Sequence, residues 1–293
     1  MKTRNVMTAA VAAGALLTIT PAAFAAGNGR NDPILGNVTG SSISDRTTLG
    51  YDDTSCTATV ERGLGHGNYA APVVHHYSVP GLQSTRQCPD MGVTIKRRWS
   101  ATDDLAVTFF DKPISAPSAV YVLRNFQVRS GSEAGSFPSF VGSEDFNGDG
   151  RGDLWESTDQ QQSFTTLIRD GRGFVPGAAS FINSTSNPSV AFGKLDNKAG
   201  TDIAAGYVSL DRDQNGLPNS TGTGALVVFG KSGDKVLLER DETGTKRYTV
   251  AIVDANCDGR KDVRVSDNSG AAPRTYLGDG RGHFTLAKSH GKG

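Results

Sequence analysis

Two stretches of this chain, 145–174 and 254–283, align without a gap at a shift of 109 residues and are identical at 12 of 30 positions. The shared residues are Asp145/Asp254, Asn147/Asn256, Asp149/Asp258, Gly150/Gly259, Arg151/Arg260, Asp153/Asp262, Ser157/Ser266, Thr166/Thr275 and the runs 170–173 and 279–282, both Asp-Gly-Arg-Gly. A recurring unit folds the same way each time and buries its faces against its own copies, so repetition constrains the fold more than any single residue does. Weaker copies follow the same order of apolar strand, loop, Asp, apolar strand at 37–45, before Asp104, and at 194–203. The closing aspartates are Asp45, Asp104, Asp153, Asp202 and Asp262, at spacings of 59, 49, 49 and 60.

Units of about 50 residues have the length of a four-stranded propeller blade. In the last copy, 248–253 leads into the loop, 262–265 leaves it, 275–277 pairs back and 283–286 follows a Gly/Asp turn, as short β-branched runs between turn residues do. The 36 glycines favour turns over long helices. The expected fold is therefore all-β, a β-propeller of about five blades, with repeats near 34–90, 91–137, 138–187, 188–246 and 247–293 after a flexible 26–33. Seven blades would allow only about 38 residues each, which the observed spacing does not fit.

Residues 1–25 read as a removable export signal: Lys2 and Arg4, then 6–20 without an ionisable side chain, Pro21, and Ala23-Phe24-Ala25 before a cut after Ala25. No second apolar run follows, so a secreted, extracellular chain with no membrane insertion is expected. Export favours a disulfide between Cys56 and Cys88, 32 positions apart, and leaves Cys257 over. The 30 basic residues balance the 30 acidic ones, which argues against nucleic acid as the main partner.

The repeated loop carries the chemistry. Asp145, Asn147, Asp149 and Asp153 place side-chain oxygens at positions one, three, five and nine, Gly150 permits the turn, and Arg151 offers its carbonyl. Asp254, Asn256, Asp258, Arg260 and Asp262 repeat the set. Oxygen donors on alternate residues of a tight turn suit Ca²⁺, while the missing Glu at position twelve argues against an EF-hand. Self-bonded Asx turns are the plainer reading, against which two acidic loops in register weigh. Asp211, Asp213, Asn215, Leu217 and Asn219 form a third candidate, for which an acidic hairpin loop is an equal reading. In the basic copies Lys96, Arg98, Lys194 and Lys198 fall at ligand positions; Lys198 is expected to replace a cation by pairing with Asp196 and Asp202.

Asp-x-Asn-x-Asp-Gly-x-x-Asp followed by an apolar strand resembles the FG-GAP/VCBS repeat of integrin alpha chains and secreted bacterial proteins. The hairpin of 202–206 and 224–230 is similar to that repeat as well. The resemblance is strong over 140–293 and weaker over 32–139. It implies a propeller with calcium in the loops between adjacent strands, and the family's metal positions fall on the two sets just named. It implies no particular ligand.

No nucleophile elbow, zinc helix or phosphate loop is present. His75 and His76 share a strand and point to opposite faces. The reading is a monomeric, non-catalytic binding or adhesion module for an extracellular glycan or protein, with Trp99, Trp155, Tyr51, Tyr69 and Tyr207 as candidate stacking aromatics. The alternative is a small polysaccharide lyase or glycosidase on the same scaffold.

Overall fold

The computed structural model describes residues 28–110, 116, 118–133, 138–158, 163–171, 173–182, 189–208 and 222–288. The segment expected to be an export signal, 1–25, and the third candidate loop, 211–219, lie outside them.

The described chain is all-β, with one 3₁₀ turn at Thr85–Gln87, and its strands form five four-stranded antiparallel sheets. The first contains β1 (Ile34–Gly36), β2 (Asp45–Tyr51) and β3 (Cys56–Glu61); after a small hairpin of β4 (Gly63–Gly65) and β5 (Asn68–Tyr69), β6 (Val73–Tyr77) completes it. The second runs β7 (Met91–Ile95), β8 (Asp104–Thr108), β9 (Val120–Arg124) and β10 (Gln127–Ser132). The third runs β11 (Phe140–Glu144), β12 (Asp153–Thr158), β13 (Ser163–Asp170) and β14 (Gly173–Ile182). The fourth is β15 (Val190–Gly193), β16 (Asp202–Tyr207), β17 (Thr223–Val228) and β18 (Lys235–Asp241), and the fifth is β19 (Tyr248–Val253), β20 (Asp262–Asp267), β21 (Arg274–Gly278) and β22 (Phe284–Leu286). In every sheet the strands pair in chain order as a meander, and each closing aspartate is the first residue of the second strand.

Burial follows position within the sheet. The second and third strands of the second and fourth sheets are buried almost throughout, as in the sequence Ile-Ala-Ala-Gly of β16. The fourth strands β10 and β18 are largely exposed or half-buried. A strand buried on both faces needs apolar residues at consecutive positions, which is why the inner runs do not alternate.

Among the described residues the core consists of four apolar clusters, each joining successive sheets. Ile34, Val60 and Tyr77 meet Leu105 and Val107 of the second sheet. Ile95 and Val122 meet Val141, Leu154 and Leu167 of the third. Trp155, Phe164 and Phe181 meet Ile203 and Leu226 of the fourth, and Ala204 and Val227 meet Val250, Val263 and Val265 of the fifth. Among the described residues no such cluster joins the fifth sheet to the first.

A second, polar link runs between the loops that precede the closing aspartates. Asp103 N donates to Asn37 O at 2.7 Å, Gly152 N to Lys96 O at 3.0 Å and Thr201 N to Asp145 O at 2.8 Å. Each bond runs from the residue before one closing aspartate to the first residue of the preceding loop.

Residues 28–32, in the segment expected to be flexible, are tied across the first strands. Asn28 exchanges backbone bonds with Val141 at 2.8 and 3.1 Å, its side chain donates to Gly92 O at 2.8 Å, and Arg30 pairs with Asp90 at 2.6 Å. Cys56 and Cys88 form the disulfide, and Cys257 is free and exposed. No helix among the described residues is long and apolar enough to cross a membrane.

Candidate metal centres

The two acidic loops join the first and second strands of the third and fifth sheets, and each is built from its own side-chain-to-backbone bonds. Asp145 Oδ1 accepts from Gly148 N at 2.8 Å and Asp149 N at 3.1 Å, and its Oδ2 from Gly150 N at 2.9 Å. Asn147 Oδ1 accepts from Asp149 N at 2.9 Å and Asp149 Oδ1 from Arg151 N at 2.8 Å. The fifth sheet repeats this: Asp254 accepts from Asp258 N and Gly259 N, both at 3.1 Å, Asn256 Oδ1 from Asp258 N at 3.2 Å, and Asp258 Oδ1 from Arg260 N at 2.8 Å. Gly150 and Gly259 take φ of 80° and 81°, the left-handed turn that glycine adopts without penalty.

The closing aspartates do something different, and they do it in four sheets. Asp153, fully buried, accepts from Phe146 N at 2.9 Å and Asn147 N at 3.3 Å on Oδ2 and from Arg169 N at 2.8 Å on Oδ1. Asp45 holds Val38 N, Thr39 N and Gly63 N in the same way. Asp202 holds Leu195 N, Asp196 N and Gly230 N, and Asp262 holds Ala255 N and Gly278 N. The carboxylate thus fastens the incoming loop to the end of the third strand, with or without an acidic loop. Burial pushes the Asp153 carboxyl up to about 6, against the pull of its three N–H bonds.

Charge in the loops is partly met by arginine. The Arg151 guanidinium donates to Asp149 Oδ2 at 2.8 and 2.6 Å; burial raises the Asp149 carboxyl, but this pairing outweighs it and holds the group below its ordinary range. In the fifth sheet Arg260 stands farther off, 3.9 Å from Asp258, whose carboxyl is lowered first by the N–H of Arg260.

Oxygen-only donors on alternate residues around a left-handed glycine fit a hard cation in chemistry and order. A carboxylate has about four acceptor positions, and backbone N–H groups take three at Asp145. Among the described residues no three His, Cys, Asp or Glu side chains converge as a metal-holding group.

The basic loops differ from expectation in one contact. Lys198 Nζ lies 3.8 Å from Asp196 Oδ2, but Asp202 is engaged by backbone N–H groups instead. The expected double pairing is corrected to a single one, because Asp202 lies under the loop backbone. Two candidate aromatics are corrected as well: Trp155 and Tyr207 are 5% and 8% exposed and pack between the third and fourth sheets. Tyr69 lies under the Arg46 guanidinium at 4.7 Å. His75 stacks on Phe126 at 3.9 Å.

Tyr51 is 55% exposed, and Trp99 is 91% exposed at φ 61° on the loop between β7 and β8. Arg98 lies over its ring at 5.2 Å. Beside it an open cleft of about 580 Å³ separates that loop from Gly148, Asp149 and Gly150. A neighbouring cleft of about 660 Å³ is lined by Lys96, Asp103, Glu144, Asp145 and Arg151.

The sequence reading missed a group of arginines around Asp104. Arg124 reaches both of its oxygens, at 3.1 and 3.0 Å, Arg169 reaches Oδ2 at 2.7 Å, and Arg97 lies 3.7 Å away. The available signal was Arg169 itself, which stands where the aligned repeat has Gly278. No protein-family model matches this chain, and no curated protein matches its sequence.

Proposed function

We propose that this is an exported, calcium-carrying β-propeller whose five sheets are its blades, acting as a non-catalytic binding module for extracellular glycans or proteins. The observation that carries the reading is the paired acidic loop: Asp145, Asn147 and Asp149, like Asp254, Asn256 and Asp258, are held by the same backbone bonds at the same step of two blades. Calcium would be held by these side chains with the carbonyls of Arg151 and Arg260 and the carboxylates of Asp153 and Asp262. It would supply positive charge to the loop, in competition with the Arg151 guanidinium at Asp149. The role is structural, since the loops lock adjacent strands. At tenfold excess over its dissociation constant each ion would add about 1.4 kcal/mol.

The ligand surface is the face that carries these loops. Trp99 offers an open indole there, held in a backbone region that costs a non-glycine residue about 1 kcal/mol. Such strain is characteristic of binding sites, and an exposed indole is a stacking surface for a sugar ring or an apolar side chain. Export is supported by the buried Cys56–Cys88 disulfide.

Thermal melting with millimolar calcium and then with chelator tests the metal. Calcium is expected to raise the midpoint by several degrees in the wild type and to have little effect in an Asp149→Asn/Asp258→Asn double variant. A wild-type midpoint indifferent to both additions would end the calcium reading. A glycan and polysaccharide screen with Trp99→Ala as control tests the ligand face, and product release in that screen would replace the binding module with an enzyme.

A further inference from the structure

Arg169 breaks an otherwise regular rule. The N–H that reaches Oδ1 of the closing aspartate belongs to Gly63, Gly230 and Gly278 in three sheets, where an added Cβ would lie 2.2 to 2.3 Å from a backbone oxygen. In the third sheet that N–H belongs to Arg169. Its side chain, 5% exposed, crosses to the second sheet to meet Asp104.

Asp104 is a closing aspartate whose carboxylate is tied to arginine side chains, and that one carboxylate faces Arg97, Arg124 and Arg169. Burial pushes its carboxyl up, and Arg124 and Arg169 outweigh this to hold it below its ordinary value, so it remains an anion. The positive charge still exceeds the negative. Moreover, among the described residues Nε and Nη1 of Arg169 are buried with no hydrogen-bond partner. A buried donor left unmet is costly, and more so when charged, so native structures satisfy nearly all of them. Arg124, Arg129 and Arg169 line a pocket of about 420 Å³ between the second and third sheets, together with Ser130 and Gly171 and, among the described residues, without a carboxylate. Arg129 is exposed and donates to Gln127 Oε1 at 2.9 Å.

We propose that this pocket binds an oxyanion: the carboxylate or sulfate group of an acidic sugar, or a free sulfate or phosphate. The planar guanidinium donors match such oxygens and attract them through charge. A neutral sugar would leave the excess charge uncompensated. The site shares no residue with the acidic loops; it rests on the binding-module reading only for the source of the anion.

The test titrates the mature protein with sodium sulfate, sodium phosphate, sodium glucuronate and glucose at constant ionic strength, with and without chelator. Calorimetry reads binding, and ¹⁵N–¹H spectra read the Arg169 Nε–H. The expected result is saturable single-site binding of at least one anion and none of glucose, unchanged by chelator, with a shift of the Arg169 Nε–H resonance. Arg129→Gln should weaken binding at least about tenfold and Arg169→Gln further, while Arg240→Gln, on an outer strand of the fourth sheet, should leave it unchanged. Glucuronate, or glucose 6-sulfate as a further titrant, binding tighter than sodium sulfate would assign the anion to an acidic glycan, and inorganic sulfate or phosphate binding tighter than both would assign it to a free ion. No saturable binding, or binding insensitive to Arg129→Gln with an unmoved Arg169 resonance, would overturn the proposal. If Arg169→Gln does not fold, those two measurements still decide. Anion binding that persists where calcium has no effect would remove the calcium reading and keep this one; a calcium response without anion binding would do the opposite.

Discussion

Asp45 has no exposed surface, yet its carboxylate stays bonded because three backbone donors converge on it. Replacing it with alanine would strand those N–H groups in a space closed to water. At about 1 to 3 kcal/mol for each unmet donor, Asp45→Ala is expected to lose about 3 kcal/mol or more in urea unfolding. A midpoint unchanged from wild type would show that water takes over the bonds. The periodic aspartate was legible in the sequence because its spacing recurs. What it bonds was not, since the donors lie on a loop and at, or just beyond, the end of the third strand of the meander. The same limit hid Arg169: its difference from Gly278 was visible, but its meeting with Asp104 spans 65 positions and two sheets.

Loops 145–153 and 254–262 share four side-chain-to-backbone bonds but not their neighbours. Gly148, at φ 73°, sits against the next loop, where an added Cβ would lie 2.5 Å from Ala199 Cβ and 2.7 Å from Gly200 N. The equivalent residue of the fifth sheet is Cys257, which carries a side chain at φ 59° and is exposed. Gly259, at φ 81°, also has open space where a Cβ would go. Gly259→Ala should therefore cost only the backbone penalty, about 1 kcal/mol, and Gly148→Ala clearly more, because backbone must move. Chemical denaturation of both variants checks this; equal losses would mean that the loop at Ala199 yields freely. Strand-loop-strand order was readable from turn residues and β-branched runs, which act locally. The contact between successive loops depends on how sheets pack, and no residue pattern announces it.

At the scale of the molecule, successive sheets are joined by apolar clusters and by a repeated loop-to-loop hydrogen bond seen at three steps. Closure into a ring would carry the same step from the loop at Asp254 to Ser44, the exposed residue before Asp45. It would also cover apolar side chains on the face of the first sheet turned away from the second, among them Leu35 and Val74, each more than half exposed. Amide exchange at Ser44 is therefore expected to be slow in solution. Exchange at the rate of an open loop would instead leave the five sheets as an arc. The amino-acid sequence alone determined that the chain is all-β, that its units recur and where they turn, because alternation, β-branching and Asp/Asn/Gly turns act within a few residues. Only the tertiary structure decided that the closing aspartates fasten backbone, that Trp155 is buried while Trp99 stands in solvent, and that arginines of two sheets gather around one carboxylate. Those outcomes depend on burial and on contacts between distant segments, which exist only once the sheets have packed.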